Sequence, residues 1–185
     1  ARRLAGDRAT GLIAAAALLL LPVFTRFARL GQLDAPVLFW LLLCLLLFLK
    51  GRDGRGGWFA ASGVALGLGL LSKVIVAALA PLSLALWLAW EALRRDGPAA
   101  RRRRDAAGLA LAVAIGLLLA APWFAFMTAR HGAEFWRQCL GYHVLARLAE
   151  PLEGHGSSLG PLYWPHEVVK KFGALLPLVV LGLHA

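Results

Sequence analysis

Six apolar runs, parted by short gaps that hold nearly all of the charge, constrain this 185-residue chain more than any other feature. The first runs from about Gly11 to Phe24, and the second from Ala35 to Leu49. The third and fourth share the stretch Trp58–Trp90 and are divided by Ser72-Lys73. The fifth runs from Ala106 to about Met127, and the sixth begins near Phe172. A helix needs about 20 residues to cross a hydrocarbon layer about 30 Å thick. Inside lipid each backbone N–H and C=O must find its partner within the segment, so such runs predict helices. Several runs are short by strict count and reach the required length with flanking Trp, Phe and snorkelling Arg or Lys. The stretch Trp58–Trp90 is too long for one span and fits two short ones. A hairpin there moves Lys73 from the costly bilayer centre to an interface. Pro81 then falls within the fourth helix, where neighbouring helices accommodate a kink. The expected fold is all-α, a polytopic transmembrane helical bundle. Residues 1–127 hold five spans with short loops, 128–171 form a partly helical outer loop, and 172–185 begin a further span.

Composition supports this reading and narrows the function classes. The chain is 60% hydrophobic and only 16% charged, with a mean hydropathy of +0.70. Soluble domains are about 25% charged. A net charge of +10 would suit a nucleic-acid binder. The basic residues, however, cluster in short gaps between spans, as the positive-inside bias produces. No nucleic-acid partner is expected; membrane lipids are. Cys44 and Cys139 form neither a CxxC nor a Cys/His cluster, which reads as two unpaired thiols. The chain opens in Ala1-Arg2-Arg3 and stops just after an apolar run, which reads as a piece of a longer protein.

Alternating spans sort the basic residues between two faces. One face receives Arg2, Arg3, Arg8, Lys50, Arg52, Arg55, Arg94, Arg95 and Arg101 to Arg104, in short loops. The other receives Arg26, Arg29, Lys73, Arg130, Arg137, Arg147, Lys170 and Lys171. The denser first face is expected to be cytoplasmic. Asp34, Lys73 and the long segment from Thr128 to Lys171 then share the outer face. Loops of that length usually carry function or structure of their own. Ala133–Arg147 has an amphipathic pattern, with Phe135, Trp136, Leu140, Val144 and Leu148 on one side, suited to the membrane surface.

Each chemically capable residue has a plainer reading beside the functional one. Asp34 opens the second span in Leu33-Asp34-Ala35-Pro36 and suits either a helix N-cap or an acid that acts as base or metal ligand. Lys73 suits either a snorkelling interface lysine or a cation for a lipid phosphate. His143 and Arg147 share a helical face, with the Tyr142 hydroxyl nearby. His143 alone reads as a surface residue, and His155 in Gly154-His155-Gly156 is equally open. Arg26 and Arg29 approach Asp34 and suit lipid phosphates. Arg101 to Arg104 read as a topology determinant. Trp58, Trp87, Trp90, Trp123 and Trp136 read as interfacial anchors. Gly63, Gly67 and Gly69 form a small-residue face suited to close helix contact.

The ordered set of short motifs carries more than any one of them. Leu-Asp-Ala-Pro opens a span, and Gly-Leu-Gly-Leu-Leu-Ser-Lys lies between two short spans. A basic loop precedes a span that ends in Ala121-Pro122-Trp123-Phe124. There follow His131-Gly132-Ala133-Glu134-Phe135-Trp136, Tyr142-His143-Val144-Leu145-Ala146-Arg147 and Pro151-Leu152-Glu153-Gly154-His155-Gly156. Over nearly its whole length the chain resembles the bacterial membrane glycosyltransferases related to protein O-mannosyltransferases and lipid A aminoarabinose transferases. The resemblance implies a GT-C enzyme that takes a sugar from a polyprenyl-phosphate donor at the outer face of the bacterial inner membrane and inverts the sugar carbon. It matches Asp34 to the acid of the second outer loop and Lys73 to a Ser/Thr-Lys position. It also matches His143 and Arg147 to a Glu-His-x-x-x-Arg pattern, in which Tyr142 replaces the Glu, and His155 to a Gly-His-Gly position. The family's principal acid lies in the first outer loop, which would precede Ala1, so this piece alone is expected to be inactive.

The chemistry this implies is specific. A lipid-linked phosphate gains charge as its glycosidic bond breaks, and nearby cations stabilise that charge. Lys73, Arg147 and Arg29 are the candidates. An acceptor hydroxyl or amine needs a carboxylate base, a role for the family's principal acid, with Asp34 in the catalytic site as its support or as a ligand. No cofactor is certain; Asp34 with His143 would suit a divalent metal. The acceptor is left open between lipid, glycan and protein. The rivals are a transporter module, which would place ionisable groups inside its spans, and a non-catalytic membrane scaffold.

Overall fold

The structure is a computed structural model, and it describes residues 8–31, 33–54, 56–95, 97–139, 141, 166 and 169. Contacts divide the chain into residues 1–31 with 145–185, and residues 32–144. In the first unit α1 spans Arg8–Leu20 and α2 spans Pro22–Arg29. Pro22 stands at the start of α2, where a missing N–H costs nothing. The Thr25 hydroxyl turns back onto the Leu21 and Pro22 carbonyls.

The second unit is a bundle of α3 (Asp34–Arg52), α4 (Gly57–Ser72), α5 (Val74–Ala77), α6 (Leu79–Leu93) and α7 (Ala99–Trp136). As expected, the described residues are mainly helical, with no strand among them, and three stretches are long and apolar enough to cross a membrane: Asp34–Arg52, Val74–Leu93 and Ala99–Cys139. The apolar helices Arg8–Leu20 and Gly57–Ser72 are shorter. At 1.5 Å per residue α3 is about 28 Å long, close to the hydrocarbon thickness. Leucines such as Leu86 (64% exposed) and Leu118 (72% exposed) line the outside of the bundle, as lipid-facing side chains do in a protein of this hydropathy.

Trp58–Trp90 is divided at Ser72-Lys73, where the backbone of Lys73 is extended (φ −158°, ψ 95°). The Ser72 hydroxyl donates to the Leu68 carbonyl and seals the end of α4. A second break, after Ala77, follows from Pro81. A proline ring clashes with the carbonyl four residues earlier and offers no N–H to it.

Glycines set the packing. A Cβ on Gly63 would lie 2.7 Å from the Ala112 carbonyl, and one on Gly67 2.9 Å from Leu119 Cβ. The Gly63 and Gly67 face of α4 thus packs against Ala112, Gly116 and Leu119 of α7. Gly69 meets Ala77 and Trp40. The Phe59 ring fills the space that side chains on Gly51 and Gly108 would occupy, and it contacts Phe48 at 5.1 Å between centroids. Ser62 is buried and donates to the Cys44 carbonyl at 2.9 Å, with Cys44 Sγ at 3.3 Å. Both cysteines are free thiols.

These pairings run α3 against α4 antiparallel and α4 with α7 parallel, so the bundle has two chemically distinct ends. Asp34, Lys73 and the C-terminal part of α7 share one. Arg52, the end of α6 and the start of α7 share the other. The helix α7 runs beyond the apolar stretch at both ends, to Ala99 and Trp136. Gly132 breaks its regularity with φ 56° and ψ −137°, a region open to residues without a Cβ. Beyond that break Phe135 and Trp136 pack on Phe124, at 6.0 and 6.1 Å.

Candidate functional site

At the end of the bundle marked by the α4–α5 break, Lys73 Nζ donates to Asp34 Oδ1 at 2.6 Å. The two residues are 39 positions apart and meet because α3 starts where α4 stops. Asp34 is the first residue of α3 rather than its cap: Leu33 holds the cap position, with no side-chain cap hydrogen bond. An acid in the first turn is favoured by the helix dipole, and here its carboxylate turns to the ammonium. Lys73 is carried by the extended residue between two helices, which frees its side chain from either helical surface.

The side chains are 42% and 43% exposed. A half-exposed ion pair adds only about 0–1 kcal/mol to stability. The pair is therefore accessible and weakly committed to the fold. An incoming anion can take up the ammonium with little loss of structure. Toward the C-terminal end of α7, Thr128 donates to the Phe124 carbonyl at 2.7 Å, and the Phe124–Phe135–Trp136 cluster holds that end together.

The structure brings together two of the residues singled out in the sequence, Asp34 and Lys73. Arg29 closes α2 in the other unit. Tyr142, His143, Arg147 and His155 lie outside the described residues, as do Leu140, Val144 and Leu148 of the amphipathic segment. Among the described residues no group of three or more His, Cys, Asp or Glu side chains could hold a metal ion. One carboxylate already paired with an ammonium does not by itself fit a divalent cation, and the second expected ligand, His143, is outside the described set.

Sequence reasoning missed a second charged constellation, at the opposite end. Arg52 Nε donates to Asp105 Oδ2 at 2.8 Å, and its Nη2 to Glu91 Oε2 at 2.7 Å. The Asp105 side chain is fully buried. Its Oδ1 accepts no hydrogen bond and faces Arg104 Nη2 at 3.6 Å. Arg104 also donates to the Arg52 carbonyl, and Arg101 reaches Asp105 at 3.8 Å. The Arg52 guanidinium lies over the Trp87 ring at 4.3 Å. The same arrangement recurs for Lys50 over Trp58 and Arg94 over Trp90, placing these tryptophans among interfacial cations. The signal for this network was a lone acid directly after four arginines and a glutamate inside a Trp-Leu-Ala run. Part of the arginine cluster thus locks helices together.

Comparison with known proteins adds the family. The profile described as dolichyl-phosphate-mannose-protein mannosyltransferase matches residues 1–126. The undecaprenyl phosphate-alpha-4-amino-4-deoxy-L-arabinose arabinosyl transferase of Pseudomonas aeruginosa (strain LESB58) is 31% identical over 157 residues, 80% of this chain and 27% of the relative. The protein of the same name from Pseudomonas paraeruginosa (strain DSM 24068 / PA7) matches to the same extent. The chain thus spans about a quarter of the length of these curated relatives. No solved structure matches it. With a multi-span helical bundle, and a family profile that covers about two thirds of its residues, this chain belongs to the dolichyl-phosphate-mannose-protein mannosyltransferase family of membrane glycosyltransferases.

Proposed function

We propose that this chain forms part of an enzyme that moves a sugar from a polyprenyl-phosphate donor to a lipid, glycan or protein acceptor at the outer face of the bacterial inner membrane. The observation that carries the reading is the half-exposed Asp34–Lys73 pair at the sparsely basic end of the bundle. The arabinosyl transferases named above, with their undecaprenyl-phosphate-linked sugar, support a donor of that class. The positive-inside bias supports an outer position for this end.

In this reading Lys73 receives the donor phosphate. As the bond between the sugar carbon and the phosphate oxygen breaks, negative charge grows on that oxygen, and a fixed ammonium stabilises it. Asp34 keeps Lys73 aimed until the phosphate arrives. The carboxylate released from that pairing then faces the acceptor, in or beside the role of base. On the sequence and the family resemblance alone, Arg29 and Arg147 are further candidate phosphate ligands in this proposal, and His143, Tyr142 and His155 further candidate site residues.

The test is sugar transfer by the full-length protein in vesicles, from a polyprenyl-phosphate-linked sugar. Lys73→Ala and Asp34→Asn are each expected to cut transfer by roughly a hundredfold or more, at unchanged expression. Wild-type rates in both variants would assign the pair to a scaffold. Movement of substrate across the vesicle without transfer would assign the protein to transport.

A further inference from the structure

Between α6 and α7 lies an open groove of about 580 Å³, within the size range of lipid and small-ligand sites. Its floor is the alanine row Ala106, Ala110 and Ala114, and its walls include Leu88 and Leu117. From Ala106 to Leu117 it runs about 16 Å along α7, close to half of a hydrocarbon core about 30 Å thick. The groove is therefore one leaflet deep, and it starts at the basic end of the bundle.

That end is where the charge is unbalanced. Arg103 precedes Ala106 by three residues and Ala110 by seven, so it stands on the same face of α7 directly above the groove. It is exposed, and no described residue accepts a hydrogen bond or ion pair from it. The neighbouring arginines are otherwise engaged: Arg101 and Arg104 reach Asp105, and Arg102 donates to the Gly97 carbonyl at 2.6 Å. An apolar channel one acyl chain deep, with an uncommitted guanidinium at its mouth, is complementary to one molecule: a diacyl lipid with an anionic head group.

We propose that the α6–α7 groove binds an anionic phospholipid of the leaflet at the arginine-rich end, one acyl chain lying along Ala106, Ala110 and Ala114 and the phosphate meeting Arg103. Only the naming of that leaflet as cytoplasmic rests on the orientation given above. The alanine row excludes large side chains from the floor and so leaves room for a chain. Sugar transfer is not part of this site, which faces the opposite leaflet from Asp34 and Lys73.

Native mass spectrometry of the full-length protein tests it, with phosphatidylglycerol or phosphatidylcholine added to the micelles. Phosphatidylglycerol is expected to be retained over phosphatidylcholine. Arg103→Gln should lower that retention about fivefold, as loss of one basic contact to an anionic lipid does, and leave phosphatidylcholine unchanged. Ala110→Leu with Ala114→Leu fills the groove and should displace both lipids without lowering the melting temperature, because both positions are exposed. Glycerol phosphate, a head group without chains, should not compete. Equal retention of the two lipids, or full retention in the filled-groove variant, overturns the proposal. So does a photo-crosslinker at position 110 that captures polypeptide instead of lipid, and this readout decides the matter even if the double variant misfolds.

Discussion

Two ion pairs in this bundle have similar lengths and opposite physical meaning. Lys73 and Asp34 are half exposed, and the solvent screens most of their attraction. Asp34→Asn is accordingly expected to leave the melting temperature nearly unchanged while transfer falls. Arg52 and Asp105 are buried, with side-chain exposures of 6% and 0%. Removing one buried partner strands the other charge, which costs about 3–5 kcal/mol. Asp105→Asn should therefore lower the unfolding temperature clearly in detergent. The triple variant Arg52→Met/Glu91→Gln/Asp105→Leu should recover much of the loss, since both carboxylates that face the guanidinium are removed with it and no charge is stranded. A thermal melt of the three variants checks this. Sequence reading found Asp34 and Lys73 because each sat alone at the edge of an apolar run. It could not find the Arg52–Asp105 contact, because the two residues are 53 positions apart and the arginine run beside Asp105 resembles an ordinary topology signal.

Among elements, the seam between α4 and α7 depends on absent side chains. Gly63 meets the Ala112 backbone at a distance no Cβ tolerates, so Gly63→Leu must push the two helices apart. In lipid, association rests on such close packing rather than on expulsion of water. This variant is expected to lose compactness, read as faster proteolysis between α4 and α7 and a lower melting temperature. Gly97→Ala, at an open turn with φ 72°, should cost less, about 1 kcal/mol. The Gly63/Gly67 face was visible from spacing alone. The niche for Phe59 was not, because Gly51 and Gly108 come from two other helices and acquire meaning only when all three meet. The division at Lys73 was legible from the cost of a charge at mid-bilayer. The break after Ala77 is a local effect of Pro81, and the Ala78 backbone between the two helices keeps helical angles (φ −63°, ψ −17°).

For the unit of residues 32–144 taken whole, the helical architecture and its two unlike ends follow from the apolar runs and their basic gaps. With native cysteines replaced, single cysteines at Leu33 and Arg103 should react with an impermeant maleimide from opposite sides of the membrane. Leu33→Cys is expected to label in intact cells and Arg103→Cys only after permeabilisation. Labelling of both from one side would remove the proposed outer site. What the sequence could not convey is how unevenly the two ends are fastened. At the basic end three helices share one buried carboxylate, one guanidinium and one indole ring. At the other, among the described residues, one ion pair open to solvent links the start of α3 to the break between α4 and α5. Polar fastening is thus concentrated at the basic rim, so a substitution that unlinks Asp34 from Lys73 leaves the Arg52–Glu91–Asp105 knot of side chains intact.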